Sequence, residues 1–255
     1  MTSTLEQSTP RSTSYGAAAA LPLALAGLVL TAALAAVGGL IGLVVGLVLT
    51  VFVVVVRMRT FAAGIDAAIM GQLGATPAGG PDAAGLRNLA EGLSATAGVP
   101  LPELFVLDTP SVNLLVVGTD SEHAAIVATS GLLSQLSRVE LEGVVARAFV
   151  QLRQGEVFAA TMSIRLEAAP ATRFFAALLG HRSNLDDADR DVLVDRAAVM
   201  LTRYPPGLAG ALGACLRVGA MVSAGSPSLR RLWLVDPITV DTNALTHRME
   251  ALRLL

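Results

Sequence analysis

Ser137–Glu156, SRVELEGVVARAFVQLRQGE, decides how this chain folds. Ser137 followed by Glu140 is a capping box, the reciprocal pairing that opens a helix. Leu141, Val144, Val145, Ala148, Phe149 and Leu152 then recur at the three-and-four spacing of an apolar helical face. The stretch is expected to be a buried helix at the centre of its domain.

The residues before it read as a small sheet. Leu104–Leu107, Val112–Val117 and Ala124–Thr129 are short apolar runs bounded by turn residues, with Gly118-Thr-Asp-Ser as the turn between the last two. Upstream, Leu86, Leu89, Ala90, Leu93 and Ala97 mark a helix that stops at Gly98, and Pro100 and Pro102 enforce the stop. Asp82 is the candidate N-cap where the globular part begins. Gly74–Pro81 is a linker by composition, and residues 60–73 form a short amphipathic helix ahead of it.

The N-terminal part has another character. Residues 1–15 are polar, rich in serine and threonine, and of the composition that stays disordered. No charged residue occurs from Gly16 to Val56. A bilayer core is spanned by about 20 helical residues, so this run is about twice as long as one span needs. Gly38-Gly39 lies at its middle, where a tight turn belongs. The expectation is a transmembrane hairpin over 16–56, with helices near 17–37 and 40–56. The small residues of the first helix and the Gly38, Gly42, Gly46 series suit close helix packing. Arg57 and Arg59 follow at once and, with Arg11, place both ends on the cytoplasmic side of the inner membrane.

Downstream, Val157–Gly180 carries Arg165, Glu167, Arg173 and Pro170, which argue against a third span. Arg190–Arg203 reads as a helix, and Tyr204-Pro-Pro opens the next one. All eighteen basic residues are arginine and the net charge is −2, so no long-range field recommends a nucleic acid. The single cysteine, Cys215, excludes an internal disulfide and any cysteine-based metal cluster. The three histidines, His123, His181 and His247, fall on turns or loops without ligand spacing. No serine or phosphate-loop pattern offers another catalytic set.

Three segments carry a resemblance: Asn113–Gly118 with His123–Leu133 and Val139–Ala146; Arg190–Arg203 with Asp191 and Asp195; and Leu232–Pro237 with Thr246-His247. Together they resemble the HtpX-like membrane zinc metallopeptidases, over roughly Asp82–Leu255 and, in layout, the apolar hairpin. The resemblance implies an α+β, mainly helical zincin-like domain (82–255) with a small β-sheet. This domain follows the transmembrane hairpin and a juxtamembrane segment and linker at 57–81. In that family the central helix carries H-E-x-x-H, two zinc ligands and the general base, and a carboxylate from a later helix completes the site. By that register Arg147 and Gln151 stand for the histidines, Ala148 for the base and Asp191 for the third ligand. Asp195 and Glu156 fall at structural positions. The family's sheet edge lies along its substrate cleft, which implies a peptide-binding edge at Asn113, Leu114, Leu115, Val116, Val117 and Gly118.

Arginine has no lone pair for a metal and keeps its proton. Two unit charges about 4 Å apart repel by about 4 kcal/mol at an effective dielectric of about 20, and a divalent ion doubles that. The residues therefore imply no catalytic set and no bound zinc. Arg147 is expected either to pair with Asp191 where the ion would sit or to extend to solvent. The functional expectation is a catalytically inactive, membrane-anchored homologue that binds a protein partner or an unfolded peptide segment in membrane-protein quality control. Homo-oligomerisation is open to it. The alternatives are an active metalloendopeptidase with an unconventional site, and a structural membrane protein that keeps the fold as a relic.

Overall fold

A computed structural model describes residues 12–62, 65–155, 157–158, 160–161, 187–223 and 227–255, with 12–23, 57–62, 65–68, 187–188 and 227–228 described as backbone only. The reading of Val157–Gly180 therefore lies largely outside the described residues, as do His181 and Glu156. The described residues divide into two units.

The first unit is built on α1 (Ser12–Ala62), helical throughout except at Gly39, whose φ of 57° and ψ of −136° suit glycine alone. The Thr50 hydroxyl lies within hydrogen-bond reach of Gly27 O (3.1 Å) and of the Thr31 hydroxyl (3.2 Å). In an unbroken helix rising about 1.5 Å per residue these partners would be separated by some 30 Å. The chain thus reverses at Gly39 and the two arms of α1 run antiparallel. Ala24–Val56 is long and apolar enough to cross a membrane. Its large side chains, among them Leu28, Val37, Leu40, Ile41 and Phe52, are mostly exposed, an apolar surface with no protein cover.

The second unit comprises the described parts of Asp66–Thr161 and Ser183–Leu255. Its sheet has strands β1 (Thr76–Pro77), β2 (Glu103–Leu107), β3 (Leu114–Gly118) and β4 (Ala124–Thr129), in the order β1-β2-β4-β3. β2 runs parallel to β4, while β1 and β3 run antiparallel to their neighbours. β3 and β4 form a hairpin whose turn is organised by Asp120, which accepts from the backbone N–H groups of Glu122 (2.9 Å) and His123 (2.8 Å). Both strands are buried along their whole length, which is why they read as unbroken apolar runs.

Two expectations are corrected at the N-terminal side of this unit. Gly74–Pro81 is not simply a linker: it contains β1, which pairs Thr76 with Val106 and Pro77 with Phe105. The preceding helix α2 (Ile65–Leu73) buries Ile69, Met70 and Leu73, so the later part of 57–81 is built into the domain. Asp82 is not an N-cap. Helix α3 (Ala84–Ala97) is entered through a 3-10 turn at Pro81–Ala83 with proline at its start and no side-chain cap. α3 ends at Gly98 in the left-handed conformation, as its sequence implied.

After β4 come α4 (Ser130–Gln135) and α5 (Arg138–Gln154), the latter opened by the expected Ser137/Glu140 capping box. From Gly143 to Leu152 every residue of α5 is buried, so the helix is enclosed on all sides rather than one. It packs against α3, β3, α6 (Asp187–Thr202) and α7 (Pro205–Val218). The approach to α7 is close: a Cβ placed on Gly143 would sit 2.7 Å from Leu208 N. α8 (Thr242–Arg253), capped by the Asp241 carboxylate on the N–H groups of Asn243 (2.9 Å) and Ala244 (3.1 Å), packs against α6 and α7.

Candidate functional site: an arginine–carboxylate centre

Arg147 stands at the middle of the enclosed stretch of α5 and is 1% exposed. A guanidinium with five donors in such surroundings must find acceptors close by. α6 supplies them. Asp191 and Asp195 are one turn apart and so share one face of that helix. Arg147 Nε donates to Asp195 Oδ1 at 2.8 Å, and a terminal nitrogen of the same guanidinium donates to Asp191 Oδ1 at 2.6 Å. Of the two expectations for Arg147, pairing with Asp191 is the one realised.

A second arginine, absent from the sequence reading, completes the arrangement. Arg248 of α8 forks onto Asp195, with Nε at 2.7 Å from Oδ2 and a terminal nitrogen at 2.9 Å from Oδ1. Its remaining nitrogen donates to Leu234 O at 2.9 Å and lies 3.6 Å from Asp191 Oδ2. Asp195 thus accepts from arginines on two different helices. Arg248 and Asp195 are almost wholly buried, while the Asp191 side chain is about one-third exposed and marks the solvent side. Two guanidinium cations meet two carboxylate anions, so the centre is neutral as a whole. A signal for Arg248 did exist: Leu245, Arg248 and Leu252 form the buried stripe of α8, with a charge where an apolar residue would be usual.

Burial alone would push the Asp195 carboxyl up. The charges of Arg248 and Arg147, with their hydrogen bonds, outweigh it and hold the group below its ordinary value. Burial likewise works against the charged form of Arg248, but the charge and hydrogen bonds of Asp195 and the charge of Asp191 raise its proton affinity above the usual arginine value.

The other residues at motif positions add no donors to this centre. Ala148 is buried and apolar, and Gln151 is buried at 3% exposure. His247 lies within α8, not on a loop as expected, and His123 is an exposed turn residue beside Asp120 (2.9 Å). Among the described residues no group of three or more histidine, cysteine or carboxylate side chains is placed to hold a metal. The donor chemistry does not fit zinc. The two carboxylates already accept from guanidinium groups, and the position between α5 and α6 is filled by a fixed cation.

Packing around β3 covers part of the implied peptide-binding edge. β3 is the outer strand of the sheet, but Leu114 O accepts from Leu234 N at 2.7 Å and Leu115 bridges to Trp233. At the far end Gly118 N points to the Thr161 hydroxyl at 3.4 Å. Asn113 is a buried strut: its amide donates to Ala220 O (2.7 Å) and Val235 O (2.8 Å). Between these contacts Val116 and Val117 are wholly buried.

No protein-family model matches the chain, and no solved structure does. Curated relatives do. A "Protease HtpX homolog" of Limosilactobacillus reuteri (strain DSM 20016) is 29% identical over 239 residues, covering 79% of each chain. Proteins of the same name from Dictyoglomus thermophilum and Tropheryma whipplei (strain Twist) are 30% and 29% identical, over 60% of this chain and 61% and 63% of theirs. A mostly helical domain with a small mixed sheet, preceded by one apolar helical segment, is thus the relative of proteins named as proteases. The chain is thus similar, at about 29% identity over 60–79% of its length, to proteins named as HtpX homologues.

Proposed function

We propose that this protein is a catalytically inactive, membrane-anchored member of the HtpX-like family that acts by binding protein, as a regulator or scaffold in membrane-protein quality control. The observation that carries the reading is the Arg147 guanidinium, bonded to Asp195 and Asp191 on the helix that, by the resemblance, should present zinc ligands. A zincin-like site needs histidines one turn apart, a basic carboxylate beside the first and a free third ligand. Here the corresponding positions hold Arg147, Gln151, Ala148 and a carboxylate, Asp191, already engaged by arginine.

Anchoring is supported by the exposed apolar surface of Ala24–Val56 and by the reversal at Gly39, which gives two antiparallel arms. Arg57 and Arg59 at the end of the second arm favour a cytoplasmic location for the domain. Crosslinking of the full chain in its own membrane tests the reading. A specific protease or membrane-protein client should be captured, and capture should persist in Arg147→Lys. Recovery of the bare protein alone would reduce it to a structural relic.

The competing reading, an active metalloendopeptidase, is favoured by the names of the relatives. Purified protein with stoichiometric zinc and casein cleavage that chelator abolishes would establish it in place of the first.

A further inference from the structure

We infer that Arg147, Asp191, Asp195 and Arg248 form a metal-free structural centre, in which a side-chain cation performs the cross-linking that a bound ion would otherwise provide. The inference rests on the reading that this position binds no zinc, and it goes further by assigning the arginines a task.

Three helices far apart in sequence meet at the centre. Arg147 comes from α5, the carboxylates from α6 and Arg248 from α8. An ion seated between helices holds them by accepting lone pairs from each. Arg147 achieves the same connection with inverted polarity, by donating to two carboxylates on successive turns of α6. Arg248 then carries the link onward, since its fork takes both oxygens of Asp195 while a third nitrogen fixes Leu234 O. Leu234 N in turn donates to Leu114 O at the outer edge of the sheet. The centre therefore reaches from the enclosed helix, through the C-terminal helix, to β3.

The geometry also explains why both arginines are present. Asp195 and Asp191 are one turn apart, so two buried or half-buried anions would repel if a single cation served both. With two guanidinium groups the charges balance, and each Asp195 oxygen has a donor within 2.9 Å. Removing one partner of such a set leaves an uncompensated buried charge, which is far more costly than the intact set is favourable.

The test uses the full chain in detergent, followed by the emission of its single tryptophan, Trp233, which is 2% exposed and sits where the centre meets the sheet. Thermal unfolding is expected to be the same with chelator, with added zinc and with neither. Arg147→Met should lower the Tm by about 10 °C and speed hydrogen exchange along Thr242–Arg253, a helix on which residue 147 does not lie. Should Arg147→Met fail to fold, Asp191→Asn decides instead. It loses one half-exposed partner, so it should fold with a smaller fall in Tm and the same faster exchange in α8. A Tm lowered by chelator, stoichiometric zinc in the purified protein, or variants with unchanged Tm and exchange would each overturn the inference. Failure to capture a partner would sink the proposed function and leave these outcomes untouched.

Discussion

Two places in this molecule bring helices together by opposite means. The arms of α1 approach through what is missing: a Cβ on Gly27 would lie 2.2 Å from Thr50 Cγ2, and one on Gly46 would lie 2.8 Å from Thr31 Cα. Among the described residues, two threonine hydroxyls make polar contacts between the arms. α5, α6 and α8 instead meet through four full charges. Where the side chains around a junction are apolar, small residues and van der Waals contact suffice, and a buried charge would find no compensation. Where a domain has an interior and an aqueous boundary, a charged cross-link is possible, but only as a complete set. The first junction should yield gradually to substitution and the second abruptly.

The strongest break should come from Asp195, which both arginines share. Asp195→Ala leaves two guanidinium groups buried with only half-exposed Asp191 between them and should cost at least about 3–5 kcal/mol. Denaturant unfolding of the detergent-solubilised chain, read from Trp233, measures it. Acid should approach the same state reversibly. The carboxyl of Asp195 is held below its ordinary value, so its contribution is present above the unfolded carboxylate value of about 3.9 and is lost as pH falls through the lower folded value. From pH 5 to 8 the contribution is flat. The stability gap between the wild-type chain and Asp195→Asn should therefore hold across that range and narrow below about pH 4. Arg248 adds nothing to this window, because its raised value moves its loss to still higher pH.

A steric break at a neighbouring contact of α5 should be milder. Gly143→Ala places a methyl 2.7 Å from Leu208 N, where α5 and α7 touch backbone to backbone, and relief requires the two helices to separate slightly. A loss of about 1–3 kcal/mol is expected, again by denaturant unfolding, with no change in its dependence on pH. That independence separates packing from charge within a single helix.

How far these features were legible from residues alone depends on how local their causes are. The strands β2, β3 and β4 and helix α5 announce themselves because a run of neighbours carries the pattern, with capping at Ser137 and, for α3, a stop at Gly98. β1 does not: two residues ending in proline make no pattern, and only the backbone of β2 makes them a strand. The Arg147–Asp191 contact was accessible through the register of a resemblance. For Arg248 the stripe of α8 signals burial only, because its partner is 53 residues away and nothing beside it in the chain demands a carboxylate. The contacts of Asn113 have the same origin, since it binds backbone at Ala220 and Val235, more than a hundred residues downstream.

The smallest effect should come from the apolar junction. Thr50→Val keeps the shape of the side chain but removes the hydroxyl that reaches Gly27 O and Thr31. Interhelical hydrogen bonds among membrane helices average about 0.6 kcal/mol, because the separated helices find other partners, and Thr50 also has Gly46 O within its own helix at 2.8 Å. A change of that size, measured by the rate at which a crosslink forms between cysteines placed on the two arms, is the expected outcome. Gly27→Leu should then exceed it, since a side chain cannot enter a gap that leaves no room for a Cβ beside Thr50. If Thr50→Val proved the more damaging of the two, the arms of α1 would be held by polarity after all, and the contrast with the charged centre would become one of degree.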